Sequence, residues 1–189
     1  MRVISGEARG RPLKAPRNQA RTRPMADKIR EAAFSSMDSL GVAPERVLDL
    51  YAGSGAIGIE ALSRGADWAD FVDRDRIACQ TIRDNLRSTG LERRGKVHQA
   101  TVEAFLRRVD EPYDFIAIDP PYADPAIVDT LEMLSESAAV AEGTVVLLGH
   151  WPRLEIPERI GRLVLLRQRC HGDSCFAIFE VSARSESDD

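Results

Sequence analysis

A glycine-rich loop that joins a short apolar segment to a helical one restricts most strongly how this chain can fold. In "RVLDLYAGSGAIGIEALSRG", residues 46–51 have the pattern of a buried strand, and the segment after the loop has that of a helix closed by Gly65. Gly53, Gly55 and Gly58 stand between them in the spacing G-x-G-x-x-G. Such glycines allow a tight turn and a close approach of the backbone to a ligand. The sequence therefore predicts a strand, a ligand-binding turn and a helix in succession.

Strand and helix patterns alternate from Val47 to His150, which is typical of a mainly parallel sheet with helices on both faces. The segment "GRLVLLRQRCHGDSCFAIFEVS" predicts two further strands joined around residues 171–173, at or near the sheet edge. We predict a Rossmann-like α/β fold at residues 41–183, with a mainly parallel sheet and a C-terminal antiparallel hairpin. A basic N-terminal arm and helix at residues 1–40 precede it, and an acidic tail at residues 184–189 follows it.

The length of 189 residues and the lack of a long apolar run indicate one domain without a membrane span. The start, "MRVISGEARGRPLKAP", is polar and basic and lacks the apolar segment of a signal peptide, so a cytoplasmic location is expected. Cys79, Cys170 and Cys175 are odd in number and unevenly spaced, which favours free thiols over a disulfide framework. The segment "RCHGDSCFAIF" lacks a second pair of ligands, so no metal site is expected.

The first 30 residues carry positive charge on an otherwise acidic chain. They hold nine Arg or Lys against two acidic residues, a net charge of +7, which leaves −11 for the rest of a chain whose total is −4. Segregated positive charge is typical of a surface that binds a nucleic-acid backbone, although a solvated tail is the alternative. The arm is expected to be removable without loss of cofactor binding. The residues assigned to nucleic-acid contact are Arg2, Arg9, Arg11, Arg17, Arg23 and Arg30.

Two carboxylates beside the glycine loop favour one cofactor over another. Asp49, in the first strand, would repel a pyrophosphate but suits a ligand with a cationic sulfonium and an ammonium group. Asp73 ends the second strand, 20 residues after Gly53, where it can accept hydrogen bonds from ribose hydroxyls. Together they favour S-adenosylmethionine over NAD, with a helix-capping role for Asp49 as the alternative. Tyr51, Gly53 and Gly55 complete the predicted cofactor contacts of the loop.

The tetrapeptide "DPPY" at residues 119–122 follows "YDFIAI", which has the pattern of a buried strand. Two prolines end sheet pairing and stiffen the loop, because proline has a fixed φ and no N–H. The Asp119 carboxylate and the Pro120 carbonyl can then accept both hydrogens of an amine, which directs the nitrogen lone pair at a methyl donor. Tyr122 would stack on the base that carries the amine. These three residues are the predicted catalytic group.

The glycine loop "DLYAGSGAIGIEALSRGA", the "DPPY" motif, and the N-terminal segments "MRVISGEARGRPLKAP" and "TRPMADKIREAAF" together resemble the RsmD family. Members of this family are 16S rRNA (guanine(966)-N(2))-methyltransferases, and the resemblance runs over nearly the whole chain. It implies a bacterial enzyme that uses S-adenosylmethionine to methylate the exocyclic amine of one guanine in small-subunit rRNA, on the assembled particle. A monomer is expected.

The sequence departs from the family at the adenine contact. Relatives commonly have an acidic or amide residue where "QATVEAF" has Thr101. This departure shifts the expected adenine contact to backbone groups of Thr101 and Val102, or to a water molecule.

Three alternatives belong to other functional classes. An adenine-N6 DNA methyltransferase shares the motifs but usually carries a further target-reading segment. A glutamine-directed protein methyltransferase usually has Asn in place of Asp119. A non-catalytic RNA-binding assembly factor would need the basic arm but has no use for Asp119 beside Tyr122.

Overall fold

The computed structural model describes residues 1–17, 25, 27–121 and 126–183. Within these ranges the chain forms five α-helices and eight strands. The helices are α1 (Asp27–Ser39), α2 (Ala56–Ser63), α3 (Arg76–Thr89), α4 (Val102–Leu106) and α5 (Ile127–Glu136). The strands are β1 (Arg46–Leu50), β2 (Trp68–Asp73), β3 (Gly95–Gln99), β4 (Phe115–Ile118), β5 (Val145–His150), β6 (Arg159–Ile160), β7 (Leu163–His171) and β8 (Ser174–Val181).

All eight strands belong to one sheet, in the order β3-β2-β1-β4-β5-β8-β7-β6. The pairs from β3 to β5 are parallel, and the pairs from β5 to β6 are antiparallel. This confirms the predicted Rossmann-like fold with a C-terminal antiparallel hairpin. The two-residue strand β6 was not predicted, because a segment so short has no measurable periodicity. It forms the edge of the sheet beyond the hairpin.

Side chains of the central strands alternate between two cores, one on each face of the sheet. In β4, Phe115 and Ala117 pack with α1, α2 and α3, whereas Ile116 and Ile118 pack with α4 and α5. Successive strand residues point to opposite faces, so a strand buried on both faces reads as a continuous apolar run. The face that a strand residue occupies therefore follows from its parity. Asp49 and Asp119 both project to the face that carries α1 and α2.

The N-terminal segment, defined here as residues 1–17, packs against the domain. Val3, Ala8 and Leu13 are buried in the same core as α1, α2 and the sheet. A bridge between Arg2 and Pro12 folds the segment back on itself. Residues from the predicted arm and helix (1–40) and from the predicted domain (41–183) thus share one hydrophobic core. The segment is built into the fold, and the tail at residues 184–189 lies outside the described residues.

The hairpin of β7 and β8 carries a disulfide between Cys170 and Cys175, which corrects the expectation of free thiols at these positions. The two residues face each other across the antiparallel pair, with their Cα atoms 4.0 Å apart. The spacing of five residues spans a tight turn, and that turn brings the two side chains together. Cys79 is a free thiol and is buried.

None of the helices within the described ranges is both long enough and apolar enough to span a bilayer.

Candidate active site

Of the predicted site residues, those of the glycine loop, Asp73 and Asp119 lie at the edge of the sheet formed by the carboxyl ends of the parallel strands. Strand β1 lies between β2 and β4, and the connections that leave β1 and β4 run to opposite faces of the sheet, through α2 and α5 respectively. A crevice opens where the strand order reverses in this way, and ligands of doubly wound folds bind there. The glycine loop follows β1, Asp73 ends β2, and Asp119 follows β4. The sheet therefore brings together residues that are 70 positions apart in sequence.

The glycine loop has the backbone geometry for which glycine is required. Gly53 and Gly55 have φ values of 54° and 75°, in the left-handed region that side chains disfavour. Gly58 serves a different purpose, because a Cβ there would lie 2.4 Å from Cε1 of Phe71 on β2. The third glycine thus allows α2 to pack closely on the sheet. Tyr51 is half-buried and has a φ of 54°, which is uncommon for a non-glycine residue.

The Asp73 carboxylate fastens the loop to the end of β2. Its Oδ2 accepts a hydrogen bond from the Gly53 N–H at 2.9 Å, and its Oδ1 accepts one from the Asp75 N–H at 2.8 Å. Each carboxylate oxygen can accept more than one bond, so both retain capacity for hydroxyl donors. Asp75 in turn caps α3 by accepting from the Ile77 N–H. Asp73 therefore orders the glycine loop at the end of β2, and its contact with a ribose stays a prediction.

Asp49 is buried at 1% exposure beneath the start of α2. Its Oδ2 accepts a hydrogen bond from the Gly58 N–H at 2.9 Å, which satisfies a donor in the first turn of the helix. Burial raises the pKa of Asp49 well above its usual range, and the nearby carboxylates of Asp119 and Asp73 raise it further. The Gly58 N–H and the charge of Arg30 act in the opposite direction. Asp49 therefore caps the helix, and a cationic ligand nearby would relieve its unfavourable charge.

Asp119 lies directly after β4 and is half-buried. Its Oδ2 accepts a hydrogen bond from the Met25 N–H at 3.0 Å. Its Oδ1 lies above the backbone of β5, since a Cβ at Gly149 would be 2.4 Å from it. Desolvation raises the pKa of Asp119 to about 6, against the opposing effects of the Met25 N–H and Arg30. Pro120 is half-buried beside it, whereas Tyr122 lies outside the described residues.

Thr101 is the N-cap residue of α4. Its hydroxyl accepts a hydrogen bond from the Ala104 N–H at 3.2 Å, and its carbonyl accepts one from the Phe105 N–H at 3.0 Å. Val102 is buried at 4% exposure in the core under α4 and α5. The Thr101 carbonyl is therefore committed to the helix, and the assignment of the adenine to these two residues stays a prediction.

The arginines assigned to RNA fall into three groups. Arg2, Arg9, Arg11 and Arg17 are exposed, and Arg23 lies outside the described residues. Arg30 has an exposed fraction of 0%, so its assignment to RNA is wrong. Arg30 lies on the side of α1 that faces the core. A count of charges along the sequence does not distinguish a buried arginine from an exposed one.

Four residues that the sequence analysis did not single out contribute to the site. Met25 and Gly149 contact Asp119, as described above, and Glu60 and Asn85 hold the N-terminal segment in place. Glu60 accepts hydrogen bonds from the backbone N–H groups of residues 4 and 5. A glycine inside an apolar strand often marks a close backbone approach, so Gly149 could have been noticed from sequence. Glu60 could also have been noticed, because a single Glu in an otherwise apolar helix indicates a buried carboxylate that needs hydrogen-bond donors.

The residues present fit S-adenosylmethionine. The glycine loop leaves room for close approach to its backbone, since Gly53 and Gly55 have no side chains there. Asp73 supplies an acceptor for hydroxyl groups, and Asp49 and Asp119 supply negative charge for a cation. A pyrophosphate would meet this concentration of carboxylates unfavourably.

Comparison with known proteins gives a consistent picture. A family model described as "Conserved hypothetical protein 95" matches residues 1–180. The chain is 37% identical over 183 residues to YlbH of Bacillus subtilis, whose name marks it as a candidate rRNA methyltransferase; the match covers 95% of this chain and 98% of that protein. It is 28% identical over 188 residues to the ribosomal RNA small subunit methyltransferase D of Escherichia coli K12, covering 100% and 93%. A solved structure of the Escherichia coli protein yhhF, described as a candidate methyltransferase, superposes with a TM-score of 0.84 at 27% identity, covering 97% and 99%.

Proposed function

This chain belongs to the RsmD family, and we propose from that premise that it methylates the exocyclic N2 amine of a guanine in 16S rRNA. The guanine would be the one at position 966 that the family resemblance implies, on the assembled small subunit. The observation that carries the proposal is the Asp119 carboxylate, which follows β4 next to the glycine loop and Asp49. At this position the carboxylate could accept a hydrogen bond from an amine that lies beside the methyl donor.

The protein's own residues provide orientation and charge. The guanine N2 lone pair is delocalised into the ring, so the amine is a weak nucleophile. Asp119 and the Pro120 carbonyl accept its two hydrogens, and the stiff proline loop keeps those acceptors fixed. The reaction releases a proton from the methylated nitrogen, and Asp119, with a pKa of about 6, is placed to accept it. Tyr122 would stack on the base.

S-adenosylmethionine supplies an electrophilic methyl group on a sulfonium. We assign the ribose to Asp73 and the cationic methionine portion to Asp49, with Tyr51, Gly53 and Gly55 lining the loop. The negative charge of Asp73 raises the pKa of Asp49. A nearby positive charge or hydrogen-bond donor would stabilise the ionised form of each carboxylate.

The RNA surface that we propose combines the N-terminal segment with α3. Arg11 donates from Nη1 to the Ser88 carbonyl near the end of α3, which joins the two elements. On α3, Arg76, Arg83 and Arg87 are exposed, and their spacing of seven and four residues places them on one side of the helix. Arg87 contacts Asp84 at 3.3 Å, but exposed pairs of this kind are weak and leave the charge available to a phosphate. We assign these side chains, together with the exposed Arg2, Arg9 and Arg17, to the proposed RNA surface.

Methyl transfer to three nucleic acids tests the proposal. Tritiated S-adenosylmethionine would be supplied with 30S particles that lack the modification, with free 16S RNA and with DNA, and the products digested to nucleosides. We expect N2-methylguanosine from the particles and no transfer by Asp119→Ala, while Asp129→Ala, at an exposed position on α5, retains activity. N6-methyladenine as the product would favour the DNA methyltransferase alternative. Particle binding without transfer by the wild type would favour an assembly factor.

A further inference from the structure

The contact between Asp119 and Met25 connects the predicted catalytic carboxylate with a part of the chain far away in sequence. Met25 is 4% exposed and lies two residues before α1. Its N–H donates to Oδ2 of Asp119, and its Cε lies 3.1 Å from the position that a Cβ on Gly149 would occupy. The Met25 side chain therefore fills the space beside Asp119 while its backbone binds the carboxylate. Within the described part of the chain, Oδ1 has no hydrogen-bond partner.

A buried ionic cluster fixes the helix that follows Met25. Arg30, at the end of the first turn of α1, is 0% exposed, and its Nη2 donates to the Arg2 carbonyl and to Oδ1 of Asp27 at 3.1 Å. Its Nε lies 3.9 Å from Oε2 of Glu60 on α2. Glu60 is also 0% exposed and accepts from the backbone N–H groups of residues 4 and 5 and from Nε of Arg64. The first turn of α1 is thus tied to both the N-terminal segment and α2.

We infer that Met25 and Arg30 are positioning residues for methyl transfer, which orient the Asp119 carboxylate and hold it ionised. This inference rests on the proposed function. The Met25 N–H engages Oδ2, so that Oδ1 is the oxygen presented to the target amine. Arg30 fixes the first turn of α1, which begins two residues after Met25, and contributes a buried positive charge.

The charges around Asp119 support this assignment. Within the described residues, Arg30 from α1 lowers the pKa of Asp119, and Asp49 on β1 is a neighbouring carboxylate whose own pKa Asp119 raises. His150 follows Gly149 on β5 and, by strand alternation, projects to the opposite face. A hydrogen bond to the charged form and a nearby positive charge both favour the carboxylate over the acid. Without the Met25 N–H and Arg30, desolvation would act on Asp119 unopposed, and more of it would be protonated at neutral pH.

Met25→Pro tests the backbone hydrogen bond, because proline lacks the N–H, and Met25→Leu is the matched control that retains it. We expect Met25→Pro to lower kcat at pH 7 at least tenfold, to leave the cofactor Kd within about twofold, and to move the acid limb of the kcat–pH profile to higher pH. Met25→Leu should behave like the wild type. Equal kcat and equal pH profiles for the two variants would overturn the inference.

Arg30 variants provide a second test that does not depend on proline. Arg30→Lys retains the charge but not the fork of donors, so we expect a lower kcat with the acid limb unchanged. Arg30→Gln should move the acid limb upward. Titration of 13C-labelled aspartate carboxyls by NMR reads the ionisation of Asp119 without any turnover, and an unchanged titration in both Arg30→Gln and Met25→Pro would contradict the assignment. If the wild type transfers no methyl group to 30S particles, the proposed function fails, whereas the NMR result still decides the positioning role.

Discussion

The side-chain amide of Asn85 brackets the backbone of Lys14. Its Oδ1 accepts from the Lys14 N–H at 2.9 Å, and its Nδ2 donates to the Lys14 carbonyl at 2.9 Å. The same Nδ2 donates to the Ser54 carbonyl in the glycine loop at 2.9 Å, and the side chain is 1% exposed. One buried amide therefore joins the N-terminal segment, α3 and the glycine loop.

Replacement of Asn85 should weaken both stability and cofactor binding. Asn85→Asp places a carboxylate oxygen against the carbonyls of Lys14 and Ser54, and we expect it to cost about 3 kcal/mol or more, since it buries an unpaired charge. Asn85→Ala should cost less, about 2 kcal/mol, because it only leaves polar groups unsatisfied. Thermal melting and calorimetry of cofactor binding measure the two effects. Gln80→Ala, at an exposed position on the same helix, is the control, and equal behaviour of all three variants would contradict this role.

Removal of residues 1–17 should destabilise the whole domain. The charge pattern predicted a removable arm, but the packing predicts otherwise. Losing the burial of Val3 and Leu13 would cost roughly 1.5–3 kcal/mol each, and Glu60 would lose two of its donors in a buried site, at a cost of about 3 kcal/mol or more. The sum is comparable with a typical unfolding free energy of about 5–15 kcal/mol. We expect loss of cooperative melting together with loss of cofactor binding.

A charge-only variant separates packing from electrostatics. Arg9→Gln with Arg17→Gln removes two exposed charges and keeps every buried contact of the segment. We expect its melting temperature and cofactor affinity to match the wild type, and its RNA affinity to fall. A truncated protein that melts and binds cofactor normally would show that the segment is dispensable for the fold.

The order of strands and helices could be predicted because its signals are local. Each apolar run, glycine turn and helix end lies within about 15 residues, and the geometry of a parallel sheet then places the carboxyl ends of its strands together. Gly65 illustrates this, since it was expected to close the helix after the glycine loop, and α2 ends at Ser63, just before Gly65 with its φ of 118°. The residues of the glycine loop could be proposed as cofactor contacts for the same reason, because their motif is local.

The contacts of the N-terminal segment with α2 and α3, and that of Met25 with Asp119, could not be predicted, because they join residues 55 to 94 positions apart. Nothing in the sequence near Met25 indicates that its N–H faces Asp119, and Arg30 counts toward the charge of the arm although it is buried. All eight residues of α2 are buried, including Glu60. An apolar helix with one carboxylate requires a buried donor, but which segment supplies it depends on tertiary packing.

Asp119→Asn should stabilise the protein above pH 6. The pKa of Asp119 is raised to about 6, so the folded state resists its ionisation. The resulting penalty is absent below the unfolded pKa of about 4 and is fully developed above the folded pKa. Asparagine has no such penalty and can still accept from the Met25 N–H. We expect it to gain on the order of 1–2 kcal/mol at pH 7–8, less than the full shift implies because the side chain is partly solvated.

Melting temperatures of wild type and Asp119→Asn from pH 4 to pH 8 check this prediction. The difference should grow between pH 4 and pH 6 and then level off. A difference that is constant over the whole range would mean that the ionisation of Asp119 is not its cause.

Binding of S-adenosylmethionine should release protons from Asp49. Burial raises the pKa of this carboxyl well above its usual range, and a nearby cation would favour its ionised form. Affinity should therefore increase as the pH rises. Calorimetry in two buffers of different ionisation enthalpy measures the release, with S-adenosylhomocysteine as a ligand that lacks the sulfonium charge. Asp49→Asn should bind without this release, and identical heats for the wild type in both buffers would argue against a cation next to Asp49.

The basic side of α3 should contribute to RNA affinity through its charge. When a side chain that binds a phosphate is removed, the slope of log affinity against log salt falls by about one for duplex regions and somewhat less for single strands. We expect Arg83→Gln and Arg87→Gln each to weaken binding to 30S particles and to flatten this slope, with cofactor affinity unchanged. Arg159→Gln removes an equal charge from β6, at the far edge of the sheet, and should leave the slope as in the wild type. Equal slopes for all three variants and the wild type would place the RNA on another surface, whereas equal flattening by all three would indicate a response to net charge alone.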